Sequence, residues 1–322
     1  ASYPTLVLES DAPGGVSPRD RVRLEGFLSL ASARLSPPAN GAPSSVVGRR
    51  AMAVAGKDES ACVGLDLGSR FAKVMARTAS NEFRWSMDTV AFYRRFASRI
   101  EGKLRVDLPR LLAEMGVGKV TDPRVVATGY GRNLLDFDNA RILPEMEAHA
   151  RGASHQGEDD HFLLVDWGGQ DTKIVEVKDG RLVGFVMNDK CAAGSGRYVE
   201  NMARLLNEPL DAVLSHSSEP VSLTNICATF GESEVIGHLV EGVPVASICA
   251  GIIGSVATRT AQLLARMEGG AGLPLHLAGG LAHSVALHEL LQQATGRPAS
   301  PIAEPRYNGA LGCLLDAEAQ GD

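Results

Sequence analysis

The sequence predicts an α/β protein of about two domains, built on a duplicated strand hairpin. Three observations carry this expectation. At 322 residues the chain has length for about two domains. An apolar run, Cys62-Val63-Gly64-Leu65, ends in Asp66-Leu67-Gly68-Ser69 and resumes as a second apolar strand through Val74; Asn81 then turns the chain into residues 83–87. The pattern returns from Leu163, with Asp166 in the place of Asp66, Gly168 of Gly68 and Lys173 of Lys73, and with Asp179-Gly180 as the later turn.

Residues 1–60 read differently, punctuated by Pro4, Pro13, Pro18, Pro37, Pro38 and Pro43. One helix is expected there, with Ser17 as N-cap, Pro18 at its first position and Leu24, Phe27, Leu28, Ala31 and Leu35 on one face. Residues 37–45 read as a linker, and Glu9, Asp11, Asp20 and Glu25 do not suit a transit peptide. The segment is taken as an appended piece. Domain one is expected at 61–162 plus 302–322, domain two at 163–301.

A carboxylate at a strand end followed by glycines suits phosphate and magnesium chemistry. Glycines let backbone N–H groups approach phosphate oxygens, and the carboxylate holds a hydrated Mg²⁺ or orients attacking water. A single Asp-x-Gly is also an ordinary turn signal. Two copies at matching positions make Asp66 and Asp166 candidate catalytic residues.

Between the copies, residues 93–99 and 104–115 read as helices, 125–128 as a strand and 129–132 as a tight turn. His149, His155 and His161 are spaced by six and read as a polar, solvated link.

After the second hairpin, Cys191 stands at the end of a strand pattern, before small residues and a helix with Tyr198, Met202 and Leu205 on one face. A helix N-terminus favours a thiolate, the form that a metal or iron–sulfur cluster takes as ligand. Cys227 repeats the arrangement before Val235, Ile236, Leu239 and Val240. The pair lacks the tight spacing of a zinc site, and from spacing alone buried core thiols are the reading to prefer. Two thiolates complete a four-sulfur set only if a two-fold dimer supplies the other two. Cys62, Cys249 and Cys313 sit in apolar contexts and read as inert core thiols.

Residues 246–267 form a long, largely apolar helix. Residues 275–278 form a strand ending in Gly279-Gly280, a turn that admits an adenosine close to the backbone. Residues 306–312 open a closing helix that carries Asn308.

The bulk numbers exclude some classes. Hydrophobic content of 44% and charged content of 22% are those of a soluble globular protein. A net charge of −6 argues against a general nucleic-acid binder, and the apolar stretch from 243 to 257 is too short and broken to span a membrane. Five cysteines, an odd number, suit a reducing cytoplasm.

Seven strings carry a resemblance over nearly all of residues 62–316: GLDLGSRFAKV (64–74), ATGYGRNLL (127–135), VDWGGQDTK (165–173), MNDKCAAGSGR (187–197), CATFGESEVI (227–236), AGGLA (278–282) and YNGALG (307–312). Together they resemble the ATPase activators (component A) of 2-hydroxyacyl-CoA dehydratases, of the BadF/BadG/BcrA/BcrD type. That resemblance implies a duplicated actin/Hsp70/sugar-kinase-like fold with ATP and Mg²⁺ in the interdomain cleft. It implies a homodimer sharing one [4Fe–4S] cluster on Cys191 and Cys227 of each subunit. A ferredoxin or flavodoxin would load the cluster, and ATP would drive the electron into the dehydratase. Nucleotide contacts then fall to Gly68, Ser69, Arg70, Lys73, Gly168, Gly169, Gln170, Asp171, Lys173, Glu232, Gly279, Gly280 and Asn308. Two positions depart from the family, which usually has Ser or Thr at Arg70 and Ile at Trp167. The alternatives are a small-molecule kinase or ATPase of the same fold without a cluster, and the ATPase subunit of a benzoyl-CoA reductase-type system.

Overall fold

The computed structural model describes residues 60–100, 103–131, 140–188, 193–223 and 228–320. The N-terminal segment with its expected helix, residue 132 of the turn, Cys191 and Cys227 lie outside the described residues.

The chain opens with three strands, β1 (Ala61–Leu67), β2 (Phe71–Thr78) and β3 (Glu82–Asp88). Then come α1 (Thr89–Phe96), β4 (Ala97–Ile100), β5 (Lys103–Val106), α2 (Leu108–Glu114), β6 (Arg124–Thr128), β7 (Arg141–Ile142) and α3 (Glu145–Gln156). The second meander is β8 (His161–Trp167), β9 (Thr172–Lys178) and β10 (Arg181–Asn188). After it run α4 (Gly196–Leu206), α5 (Leu210–Val213), α6 (Ala228–Val240), α7 (Val245–Leu264), β11 (Leu275–Gly279), α8 (Val285–Thr295), β12 (Ser300–Pro301) and α9 (Asn308–Ala319).

The duplication holds at the level of register. One sheet runs β3-β2-β1-β6-β7 and the other β10-β9-β8-β11-β12. In each, the first strand pairs antiparallel with the second and parallel with a later strand. Asp66 stands opposite Lys73 in one hairpin and Asp166 opposite Lys173 in the other. The two central strands, β1 and β8, are apolar on both faces because both faces are covered: β1 is buried throughout, and β8 at every position after His161.

Residues 97–106 correct the sequence reading. They form the β4–β5 pair, with Ala97 opposite Val106, where helices were expected over 93–99 and from 104. Two local signals explain this. Phe96 is the last helical residue of α1, and Ala97 turns extended. Asp107 accepts a bond from the Arg110 N–H and starts α2 at Leu108, with Pro109 in its first turn. The apolar spacing from Leu104 to Leu112 spans both elements and imitates one helix.

Helices α3 and α9 join the two halves. Helix α9 packs on β1 and β6 of the first sheet, while α3 packs on β9 and β10 of the second and on α9. Their crossing is close because glycines stand at the contact. A Cβ at Gly312 would collide with the Ala148 carbonyl, and one at Gly152 with the Asn308 carbonyl. That closeness brings Asn308 against His149, 5% exposed at its side chain. His149 is therefore a buried residue of α3, not part of a solvated link, although His155 is exposed as expected.

Helix α7 lies in the core of the second half through Ile248, Ile252, Ile253 and Val256. Burying each such side chain contributes about 1.5–3 kcal/mol. Among the described residues no helix is long and apolar enough to cross a membrane.

Candidate active site

Both hairpin turns face one cleft of about 440 Å³, lined by residues of both halves. Its floor is the pair of strand-end carboxylates. Asp66 accepts from Lys73 Nζ at 2.7 Å. Lys173 Nζ lies 3.7 Å from Asp166, 3.1 Å from Glu145 and 2.6 Å from Asp171. Burial alone would raise the Asp166 carboxyl; the field of His149, then Lys173 and Lys73, and a bond from Lys173 outweigh it and hold Asp166 below the ordinary carboxylate range. Burial likewise opposes the charge on Lys173, and Asp166, Glu145 and Asp171 more than restore it, raising Lys173 above an ordinary lysine. Asp166 and Lys173 are thus held as an anion beside a cation.

His149 and Glu145 belong to this site although the sequence reading did not place them there. Asn308 Nδ2 donates to the His149 backbone carbonyl at 3.0 Å, and Asn308 Oδ1 accepts from Gln156 at 3.0 Å. This fixes the amide orientation and leaves Nδ2 3.2 Å from His149 Nδ1. The other ring nitrogen, Nε2, faces Asp166 at 3.7 Å. Glu145 and His149 stand four apart, on one helix face. That spacing was the available signal.

Asp66 and Asp166 line the cleft with Gly68, Ser69, Arg70, Lys73, Gly168, Gly169, Gln170, Asp171, Lys173, Gly279 and Gly280. Glu232 and Asn308 are not among the lining residues. Glu232 sits on α6, within electrostatic reach of Tyr198; Asn308 is buried behind His149 and its amide is fully engaged. The adjacent glycines also differ in use. Gly279 has φ +88, and a Cβ there would meet the Trp167 backbone, so it serves strand packing. At Gly280 a Cβ would find nothing within 4 Å, which leaves its backbone open to the cleft. Gly280→Val is accordingly expected to weaken nucleotide binding about tenfold, within the cost of a forced overlap, and to leave the fold unchanged. Calorimetric titration and circular dichroism check this; intact affinity in a folded variant would contradict it.

Trp167 is only 1% exposed and donates from its indole N–H to Thr260 at 3.0 Å. It is a packing residue that has satisfied its one polar group. The second turn is tied to the next helix: the Gly196 N–H donates to the Gly168 carbonyl at 3.0 Å and the Arg197 N–H to that of Gly169 at 2.9 Å. These are among the first N–H groups of α4, which its own turns leave without partners.

The comparisons agree with this geometry. The chain is 39% identical over 197 residues to the (R)-2-hydroxyglutaryl-CoA dehydratase activating ATPase of Acidaminococcus fermentans, covering 60% of this chain and 74% of that one. It is 33% identical over 260 residues to the 2-hydroxyisocaproyl-CoA dehydratase activator of Clostridioides difficile, covering 79% and 94%. The crystal structure of the A. fermentans component A superposes with a TM-score of 0.67 at 29% identity, over 81% of this chain and 99% of that one. The two matching sheets, with their cleft between, make this the duplicated actin-like fold that the sequence led us to expect. A model of the BadF/BadG/BcrA/BcrD ATPase family matches residues 63–317. The chain belongs to the BadF/BadG/BcrA/BcrD ATPase family.

Proposed function

We propose that this protein is an ATP-dependent reductive activator, which passes a low-potential electron to a 2-hydroxyacyl-CoA dehydratase or a related client enzyme. The observation that carries the reading is the tie between the cleft and α4. The carbonyls of Gly168 and Gly169, in the phosphate-facing turn, are held by the first N–H groups of the helix that follows Cys191. A change at the phosphates therefore has a direct backbone route to the segment bearing that cysteine.

In this reading Asp66 and Asp166 hold Mg²⁺ and position the hydrolytic water. Lys73 and Lys173 balance the charge and reach toward the phosphates. His149 is a positioning residue for Asp166, and the Gly280 backbone admits the adenosine. The 61–162 plus 302–322 and 163–301 segments act as the two domains about the cleft.

The donor chemistry supports a cluster on Cys191 and Cys227. Cys62, Cys249 and Cys313 are all buried. Burial pushes the Cys249 thiol up to about 11 and that of Cys313 well above its ordinary value. Such thiols are poor ligands, because the thiolate is the binding form. Among the described residues no group of three or more His, Cys, Asp or Glu is arranged to hold a metal ion. Two copies of Cys191 and Cys227 across a two-fold axis give the four thiolates of a [4Fe–4S] centre. When bound, that centre supplies a one-electron carrier between a ferredoxin or flavodoxin and the client. A cytoplasmic homodimer follows from the same reading.

The test mixes anaerobically purified, reduced protein with an inactive 2-hydroxyacyl-CoA dehydratase. Dehydration is expected to start only when hydrolysable ATP is present. Activation without ATP, or transfer of the terminal phosphate to a small acceptor, would contradict the proposal.

A further inference from the structure

The structure gives Arg70 a specific set of partners. It lies in the β1–β2 turn beside Gly68 and Ser69, at the cleft. Its Nε donates to both carboxylate oxygens of Glu200, at 2.8 and 3.0 Å, and its Nη1 to Asp88. The guanidinium also lies 4.4 Å from the centre of the Phe71 ring. Asp88 is on the same half, where it caps α1. Glu200 is on the other half, on α4. The pair is partly shielded, with side chains 27% and 17% exposed, and it spans the cleft where the two turns meet. A Cβ on Gly169 would touch Arg70 itself.

A planar guanidinium that binds one carboxylate in this way is equally suited to a terminal phosphate, which presents paired oxygens and more charge. Glu200 and such a phosphate compete for one donor group. We infer that Arg70 distinguishes a nucleoside triphosphate from a diphosphate, with Glu200 as its positioning residue. Glu200 holds Arg70 across the cleft. A triphosphate takes the guanidinium and frees α4 from the first half; a diphosphate is too short to do so and leaves the pair intact. The inference rests on the nucleotide site proposed above and deepens it, because α4 is the helix whose start carries the turn of the second half.

The experiment is a set of calorimetric titrations with ADP and a non-hydrolysable ATP analogue. It compares the wild type, Glu200→Gln, Arg70→Ser and the double variant. Glu200→Gln is expected to bind the triphosphate about fivefold tighter, the factor that ~1 kcal/mol of lost competition gives, with ADP within about twofold. Arg70→Ser should lose the preference for triphosphate. The double variant should match Arg70→Ser if Glu200 acts through Arg70, its closer partner, and not through Arg197, whose Nη1 lies 3.5 Å from Glu200. Three outcomes would overturn the inference: no change in Glu200→Gln, an equal change for both nucleotides, or an effect that persists without Arg70. These titrations need neither iron nor client. If they come out as expected while iron or dehydratase activation is missing, the electron-transfer reading fails and the Arg70 assignment stands. A wild type that binds neither nucleotide overturns both.

Discussion

Asp166→Asn is expected to lower ATP turnover about 10²–10⁴-fold, the usual range for losing a catalytic carboxylate, while nucleotide affinity stays within a few-fold. The substitution is nearly isosteric, so β8 keeps its packing. What it removes is the anion facing His149 and Lys173 at 3.7 Å each. An amide cannot hold a hydrated cation or accept a proton from water as a carboxylate does. The pH dependence is distinctive. The folded-state carboxyl is depressed, so the stability it contributes is present above its unfolded value of about 3.9. That stability is lost only as pH falls through the lower folded value. Between about pH 5 and 8 Asp166 stays ionised, so an acid limb of turnover in that window belongs to another group. Phosphate release with nucleotide titrations checks the prediction, and unchanged turnover in Asp166→Asn would contradict it.

Much of the fold was legible because its signals are local. The two hairpins announce themselves by apolar strands ending in Asp-x-Gly, and their register places each Asp opposite its Lys. Helix α7 and the closing helix α9 follow from long apolar patterns and fall within a few residues of expectation. The misses share a cause, namely that tertiary contact decided them. His149 sits among Glu145, Glu147 and Arg151 and looks solvated in sequence; it is buried because glycines let α9 approach α3. Asn308 reads as a ligand contact beside Gly309, yet it is the strut behind His149. On α6, Val235 is buried as its face predicts, whereas Val240 on the same apolar pattern is 57% exposed.

Cys191→Ala and Cys227→Ala are expected to have the other large effect, complete loss of the proposed cluster. Two thiolates from one chain leave a four-sulfur centre half liganded, so sharing across a two-fold axis makes each substitution remove two ligands at once. Cluster and dimer should weaken together, and ATP should change the access of chelators to the iron through the backbone tie at Gly168 and Gly169. The same substitution at Cys62, Cys249 or Cys313 deletes a buried thiol. Those variants should lose some stability and keep their iron.

The measurement that bears most directly on the proposal is iron per dimer after anaerobic purification, with the visible spectrum, across the wild type and all five cysteine variants. About four irons per dimer are expected in the wild type and in the Cys62, Cys249 and Cys313 variants, with colourless protein for Cys191→Ala and Cys227→Ala. A Cys191→Ala protein that retains the wild-type iron content would contradict the account.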